Sequence, residues 1–349
     1  QGRGASVVNK GWIVGLALVA SMACAADEPR TPSEHRRGED QTFLTFPEWY
    51  LVHSPAELAQ YLELQRAPSA FPWFGHVGQF WQGYVAATRE TRAYPFNASY
   101  HLMVSVIGTS TTVEYALRSA YESTAGRLAE ASSDGDPTAE EKLGARVAQA
   151  YVDFIRVDPW YLFDFVAPLR ELWGDATPWT GANLLRKWER RFALSTEYIL
   201  KASYAWLIKL GTQSVYGTAA PVTAVVLDRA PAAPLPAGLS QFKRLDVSTG
   251  TLLATVPRYR AFMTYAQALA SQGVNFVEIA GNRGVIVASV IERSDAARPA
   301  APQRELFVQP VLTQRGWERR AVALPVAELA AQLRRWKTAG VQVEHIYDY

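Results

Sequence analysis

The chain has 349 residues, 49% of them hydrophobic and 19% charged, with a net charge of +2. These proportions exclude a disordered, collagenous or polytopic membrane chain, and the small net charge leaves no electrostatic footprint for nucleic acid. The single Cys closes no intramolecular disulfide and builds no thiolate cluster, and at the usual ~100 to 200 residues per domain two domains are expected.

Arg3 and Lys10 precede an apolar run at 11–23. As a helix the run reaches about 20 Å, short of the ~30 Å hydrocarbon core, which favours a signal peptide over a spanning anchor. Ala23 and Ala25 flank Cys24 at the two small positions that a signal peptidase reads. Cleavage is therefore expected after Ala25, with 1–25 the signal peptide and the mature chain exported to the periplasm or envelope. A lipoprotein modified at Cys24 is the alternative, although Ser21-Met22-Ala23 lacks the usual large aliphatic residue. Residues 26–41, rich in Pro, Glu and Arg, read as a polar tether too poor in apolar side chains to pack.

Residues 42–217 read as a helical domain. Ser54-Pro55-Ala56-Glu57 combines an N-cap, Pro at N1 and Glu at N3, and Thr111-Thr112-Val113-Glu114 repeats the capping box. Asp136-Pro137-Thr138-Ala139-Glu140 opens a helix carrying Val147, Tyr151, Phe154 and Ile155 at helical spacing. A last long helix is expected over 184–210. Eight of the eleven Trp and twelve of the sixteen Tyr lie in this part, which points first to a broad core and otherwise to an apolar ligand cavity or a membrane interface.

Beyond 217 the period changes to two, and residues 218–349 read as an α+β domain built from a tandem duplication. Val225-Val226-Leu227-Asp228-Arg229 is laid against Ser289-Val290-Ile291-Glu292-Arg293. Val256-Pro257 and Leu324-Pro325 each lead into a helix that stops at Gly273 or Gly340. Each unit is strand, hairpin, helix, strand. The layout resembles vicinal-oxygen-chelate modules, with the ferredoxin-like sandwich as the alternative analogy; both are likenesses of fold and imply no activity. Glu278 and His345 fall at equivalent positions, where they could approach each other, yet too few other ligands are present for a metal site, and no cofactor is expected.

The acid-base candidates are His76, His101 and Glu114, with Gln79, Asp153, Asp158 and Asp164 as further polar groups. Gly108, Thr109, Ser110 and Thr111 succeed an apolar run and precede the second expected capping box, so their amides and hydroxyls form a possible anion cup at a helix N-terminus. Arg186, Lys187, Arg190 and Arg191 place cations at i and i+4 twice, a possible surface for anionic headgroups or a partner. Arg315, Arg319, Arg320, Arg334, Arg335 and Lys337 make the duplicated domain the basic one, suited to an acidic partner.

Thr45-Phe46-Pro47-Glu48-Trp49-Tyr50, the stretch 106–115, Tyr151-Val152-Asp153-Phe154-Ile155 and Glu344-His345-Ile346-Tyr347-Asp348-Tyr349 resemble segments of uncharacterised bacterial proteins with an N-terminal export segment. That resemblance spans most of the mature chain and implies no activity. The leading expectation is an exported, non-catalytic protein whose helical domain binds an apolar ligand or an envelope partner. An enzyme with an acid-base pocket in the helical domain is the second reading, and a peripheral membrane-surface protein the third.

Overall fold

The computed structural model describes residues 28–174, 177–212, 222–248, 250–296 and 303–348. The expected signal peptide, Cys24 and the domain boundary after residue 217 lie outside the described residues. The architecture is α+β with two parts. Helices α1 (Gln41–Glu63), α2 (Trp73–Glu90) and α3 (Ala98–Tyr121) are succeeded by a π-turn, Glu122–Gly126, that runs into α4 (Arg127–Ala131). Helices α5 (Ala139–Ile155), α6 (Val166–Leu172) and α7 (Leu184–Thr212) complete the helical part.

The first sheet unit is β1 (Val222–Leu227), β2 (Lys243–Ser248), β3 (Thr251–Pro257), α8 (Arg260–Ser271) and β4 (Phe276–Ile279). The second repeats it with β5 (Val285–Arg293), β6 (Arg304–Pro310), β7 (Trp317–Pro325), α9 (Leu329–Ala339) and β8 (Gln342–Tyr347). The strand orders, β2-β3-β1-β4 and β6-β7-β5-β8, are the same, and every pairing is antiparallel. The first and second strands of each unit thus run parallel on either side of the third, the strand order of a ferredoxin-like unit whose first helix is replaced by a linker. Val222 pairs with Pro257 as Val285 pairs with Pro325. The structural equivalent of Ser289 is therefore Val226, one residue from the sequence alignment. Gly340 closes α9 at φ 68°, a left-handed position that only glycine occupies at no steric cost. The helix-facing sides of both sheets and the two helices share one core, from Val225 and Phe262 to Ile286, Leu333 and Ile346.

Two expected helix starts are helix interiors. Ser54-Pro55-Ala56-Glu57 lies within α1, which carries both Pro47 and Pro55. An interior proline costs ~3 kcal/mol or more, but α1 buries residues on several faces, between α2, α3 and α5 on one side and β5 and β8 on the other. Tertiary burial outweighs the local stop signal. Likewise α3 starts at Ala98, where Asn97 accepts from the Tyr100 amide, and Gly108 to Thr111 lie mid-helix. Their amides are spent on intrahelical bonds, so there is no anion cup at these residues. Gly108 instead lets α3 approach α2, since a Cβ there would collide with Phe80 and touch Trp81. The helix after Asp136 starts as expected, with Thr138 and Glu141 forming the capping box.

The expected tether is partly a strap. The buried Glu278 carboxylate accepts from the Arg30 and Thr31 amides at 2.9 and 3.0 Å and from the Thr31 hydroxyl at 3.0 Å. The Arg37 amide donates to Ala280 O at 3.0 Å. Polar hydrogen bonding at the edge strand β4 anchors a segment that has no apolar side chains to bury. Gly108→Val is expected to lower the unfolding free energy by about 1–3 kcal/mol through overpacking against Phe80; urea denaturation of the variant checks this.

Candidate functional site

The outer face of the second sheet is not solvent-facing, because α1 lies across it. Phe43 and Phe46 pack on Val287, Ala323 and Tyr347, and the Thr42 hydroxyl donates to Tyr347 O while accepting from the Val287 amide, each at 2.9 Å. A bulge in β8 shapes the layer beneath α1. Ser289 pairs with His345 and Val290 with Val343, leaving Glu344 as the extra residue. Such a bulge re-aims a side chain, and here Glu344 reaches Arg319 beside it.

Arg319, 1% exposed, is the hub of this buried layer. Its Nε and Nη2 donate to Glu344 at 2.7 and 2.9 Å, and Nη2 also donates to Glu57 of α1 at 2.9 Å. The division is unequal. Burial would raise both carboxyls, but Arg319 and His53 pull Glu344 down to about 2, whereas Glu57 with its smaller share stays above the usual range. His53 lies between Glu344 (3.4 Å) and the Tyr347 hydroxyl (3.3 Å), and burial holds its pKa at about 4.

His76 belongs to the same layer. Gln79 must direct its amide nitrogen at Pro310 O, a pure acceptor 2.6 Å away, so its oxygen faces Tyr50 and accepts that hydroxyl at 3.0 Å. Tyr50 oxygen is then left to accept from His76 Nδ1 at 3.1 Å, which fixes the neutral tautomer with Nε2 toward Glu57, 3.7 Å away. Burial and Arg319 lower the His76 pKa to about 3. This is a structural histidine.

The other acid-base candidates lie elsewhere with separate partners. His101 meets the Tyr84 hydroxyl at 2.9 Å and stacks on Phe96. Glu114 pairs with Arg118 at 3.1 Å and approaches Lys201. Asp153 pairs with Arg156, and Asp164 accepts from the Val166 amide at the start of α6. These partners hold the candidates apart rather than in one pocket.

The basic cluster of α7 is turned inward, a correction to its reading as a surface. Arg186, Lys187, Arg190 and Arg191 are all buried. Arg190 grips Glu122 bidentately at 2.9 Å, Arg186 donates to Glu141 at 2.9 Å, and Arg191 donates to Glu140 at 2.6 Å beneath the rings of Trp173, Trp179 and Trp188. Buried carboxylates on α5 and the π-turn decide which way α7 faces. Arg319 and Arg320 are likewise buried, Arg320 among Glu292, Glu305 and Glu318, so neither offers charge to an acidic partner. Glu278 and His345, equivalent in register, also have separate partners, the strap and Trp49 respectively.

One cavity of about 250 Å³ opens where α1, the start of α3, the strap and the segment after β8 meet. Its lining includes Arg37, Glu48, Trp49, Asn97, Tyr100, Arg258, Tyr259 and Asp348. Trp49 is backed by His345, stacked at 3.5 Å between ring centroids. Asp348 is held by the Thr223 hydroxyl at 2.8 Å and faces Arg258 at 4.0 Å. Burial pushes Glu48 up to about 7 against the pull of Arg258, and Asp348 up to about 6 against Arg258 and Thr223. Burial and the neighbouring Arg258 lower Arg37.

Two buried polar atoms here, Arg37 Nε and the Tyr100 hydroxyl, have no partner among the described residues. Tyr259, which opens α8, has φ 62° and ψ −135°, a conformation costing a non-glycine residue about 1–3 kcal/mol and characteristic of functional sites. Sequence reasoning missed this site because its residues come from five separated segments. The sequence marks these positions only locally, as short stretches that mix aromatic and acidic residues, Glu48-Trp49-Tyr50 and Tyr347-Asp348.

No protein-family model matches the chain, and no curated protein and no solved structure matches it either. Among the described residues no group of three or more His, Cys, Asp or Glu is placed to hold a metal.

Arg319→Met leaves Glu57 and Glu344 buried without a counter-charge and should cost about 3–5 kcal/mol in chemical denaturation, part of which Arg319→Met combined with Glu344→Gln restores. For Glu48, a folded pKa of about 7 lies above its ordinary 4.5. Its protonated form is favoured by folding, so its contribution is full below the ordinary value and lost as pH rises through 7. Thermal melts of Glu48→Gln and the parent protein should coincide near pH 4 and separate in favour of the variant by pH 8. His53 and His76 act with the opposite sign, losing stability as pH falls, but equally in both proteins.

Proposed function

We propose that this is an exported envelope protein that binds a small ligand bearing an anionic group in the junction cavity. The observation that carries the reading is the pair of guanidinium side chains, Arg37 and Arg258, lining one cavity in which Arg37 Nε and the Tyr100 hydroxyl are buried with no partner among the described residues. Buried donors cost free energy until they are met, and an anion meets them. The volume of about 250 Å³ falls below the ~300–1,000 Å³ of pockets for drug-sized ligands, which supports a small metabolite with a planar part against Trp49. This lining favours a charged ligand over the wholly apolar one expected from aromatic content. Export rests on the N-terminal sequence pattern.

Native mass spectrometry of the protein purified gently from envelope fractions tests the reading. A retained small anion is expected, and Arg37→Met should weaken its binding about tenfold to a hundredfold, as for a lost charged hydrogen bond. Unchanged affinity in both Arg37→Met and Arg258→Met would overturn it.

A second reading is supported by the apolar outer face of the helical part. Leu102, Val106, Val113 and Leu117 of α3 and Trp188, Phe192, Ile199 and Trp206 of α7 are exposed at helical spacing. The helices run antiparallel, as the pairs Arg118 with Glu197 and Tyr121 with Phe192 require. No helix among the described residues is long and apolar enough to cross a membrane, so this face would lie on a bilayer surface, with Trp188, Tyr204 and Trp206 at headgroup depth. With Arg186, Arg190 and Arg191 paired internally and Lys187 buried, vesicle sedimentation should show binding that is insensitive to salt; release at raised ionic strength would count against it.

A further inference from the structure

The junction cavity holds more than an anion needs. Arg37 and Arg258 offer cationic donors for a carboxylate, Arg258 with Asp348 4.0 Å away, and Glu48 lines the same cavity. Tyr100 lines it with Glu48, and its buried hydroxyl has no hydrogen-bond partner among the described residues. A carboxyl group able to exchange a proton near neutrality, a neutral hydroxyl donor and an anion clamp are the three parts that proton transfer beside a carbonyl requires. Trp49, backed by His345, adds an aromatic surface to the lining of the cavity.

We infer that this cavity catalyses proton transfer at the carbon adjacent to the carbonyl of a small oxo acid, with Glu48 as the base and Tyr100 as the donor to the carbonyl oxygen. The inference rests on the anion-binding reading above. In the forward step the C–H bond breaks and its proton passes to a Glu48 oxygen. The C–H electron pair forms a C=C bond, and the carbonyl π pair moves to oxygen, where the Tyr100 O–H meets the developing charge. Glu48 then returns the proton to oxygen or to carbon, giving the enol or restoring the keto acid. No oxidant, reductant or second substrate enters, and the atoms balance within one molecule. Arg37 and Arg258 hold the carboxylate and so fix which carbon faces Glu48.

The test uses the whole mature protein in D₂O with 2-oxobutanoate and phenylpyruvate as probes. Proton NMR monitors loss of the C3 proton signals, and calorimetry measures binding separately. The parent protein is expected to bind at least one probe and to accelerate its exchange above the buffer rate. Glu48→Gln should lower that exchange about 10²–10⁴-fold while affinity stays within about threefold, because the clamp is intact. Tyr100→Phe should lower it about 10²–10³-fold, as for a removed oxyanion donor. Circular dichroism checks that both variants fold, and Glu48→Asp, which keeps the acid but shortens its reach, should fall between Gln and the parent. Binding without accelerated exchange overturns the catalytic inference and leaves the binding reading standing. Exchange that survives in Glu48→Gln overturns the assignment of the base. Neither binding nor exchange for either probe overturns both for the oxo-acid class.

Discussion

The structure depends on one buried cation. Arg319 comes from a central strand of the second sheet, and its two carboxylate partners come from opposite directions, Glu344 from a bulged edge strand and Glu57 from α1. A guanidinium taken out of water needs counter-charge and acceptors, which Glu344 and Glu57 supply to Nε and Nη2, while Nη1 has no partner among the described residues. That requirement fixes α1 on the sheet in one register. The same layer then seats His53, His76, Tyr50 and Gln79, and the hydrogen-bond directions from Gln79 through Tyr50 to His76 are set by a single backbone acceptor, Pro310 O.

Placing α1 in this way creates the cavity. Glu48 and Trp49 stand on α1 before the Arg319 clamp, and the β8 bulge that releases Glu344 also presents His345 to Trp49. The segment beyond the bulge brings Asp348 to the cavity wall, and the strap held by Glu278 brings Arg37. The duplication contributes through its asymmetry. The equivalent bulged strand of the first unit uses Glu278 to bind the strap, whereas the second uses His345 to support the cavity wall. Two copies of one unit thus perform two different positioning tasks.

The helical part solves its polarity in the reverse of the usual sense. On α7 the cations meet Glu122, Glu140 and Glu141 inside, and the apolar stripe faces outward. The buried charges are paired, although Arg191 Nη1 and Glu140 Oε2 have no hydrogen-bond partner among the described residues, and a large exposed apolar surface is uncommon on a folded chain.

The sequence by itself determined the fold class, the change from helical to alternating period, the duplication, the helix start after Asp136 and the Gly340 stop, because each rests on local chemistry or on a pattern repeated along the chain. It misplaced the starts of α1 and α3, since Ser54-Pro55 and Thr111-Thr112 carry real start signals that only burial against other elements overrides. It could not decide which charges are buried: Arg186 and Arg319 look like surface cations until Glu141, 45 residues from Arg186, and Glu344, 25 residues from Arg319, are brought beside them. The cavity was legible only as fragments. Arg37, Glu48, Tyr100, Arg258 and Asp348 have no common spacing, and their convergence is set by α1 docking on a bulged sheet, which is a property of the tertiary structure alone.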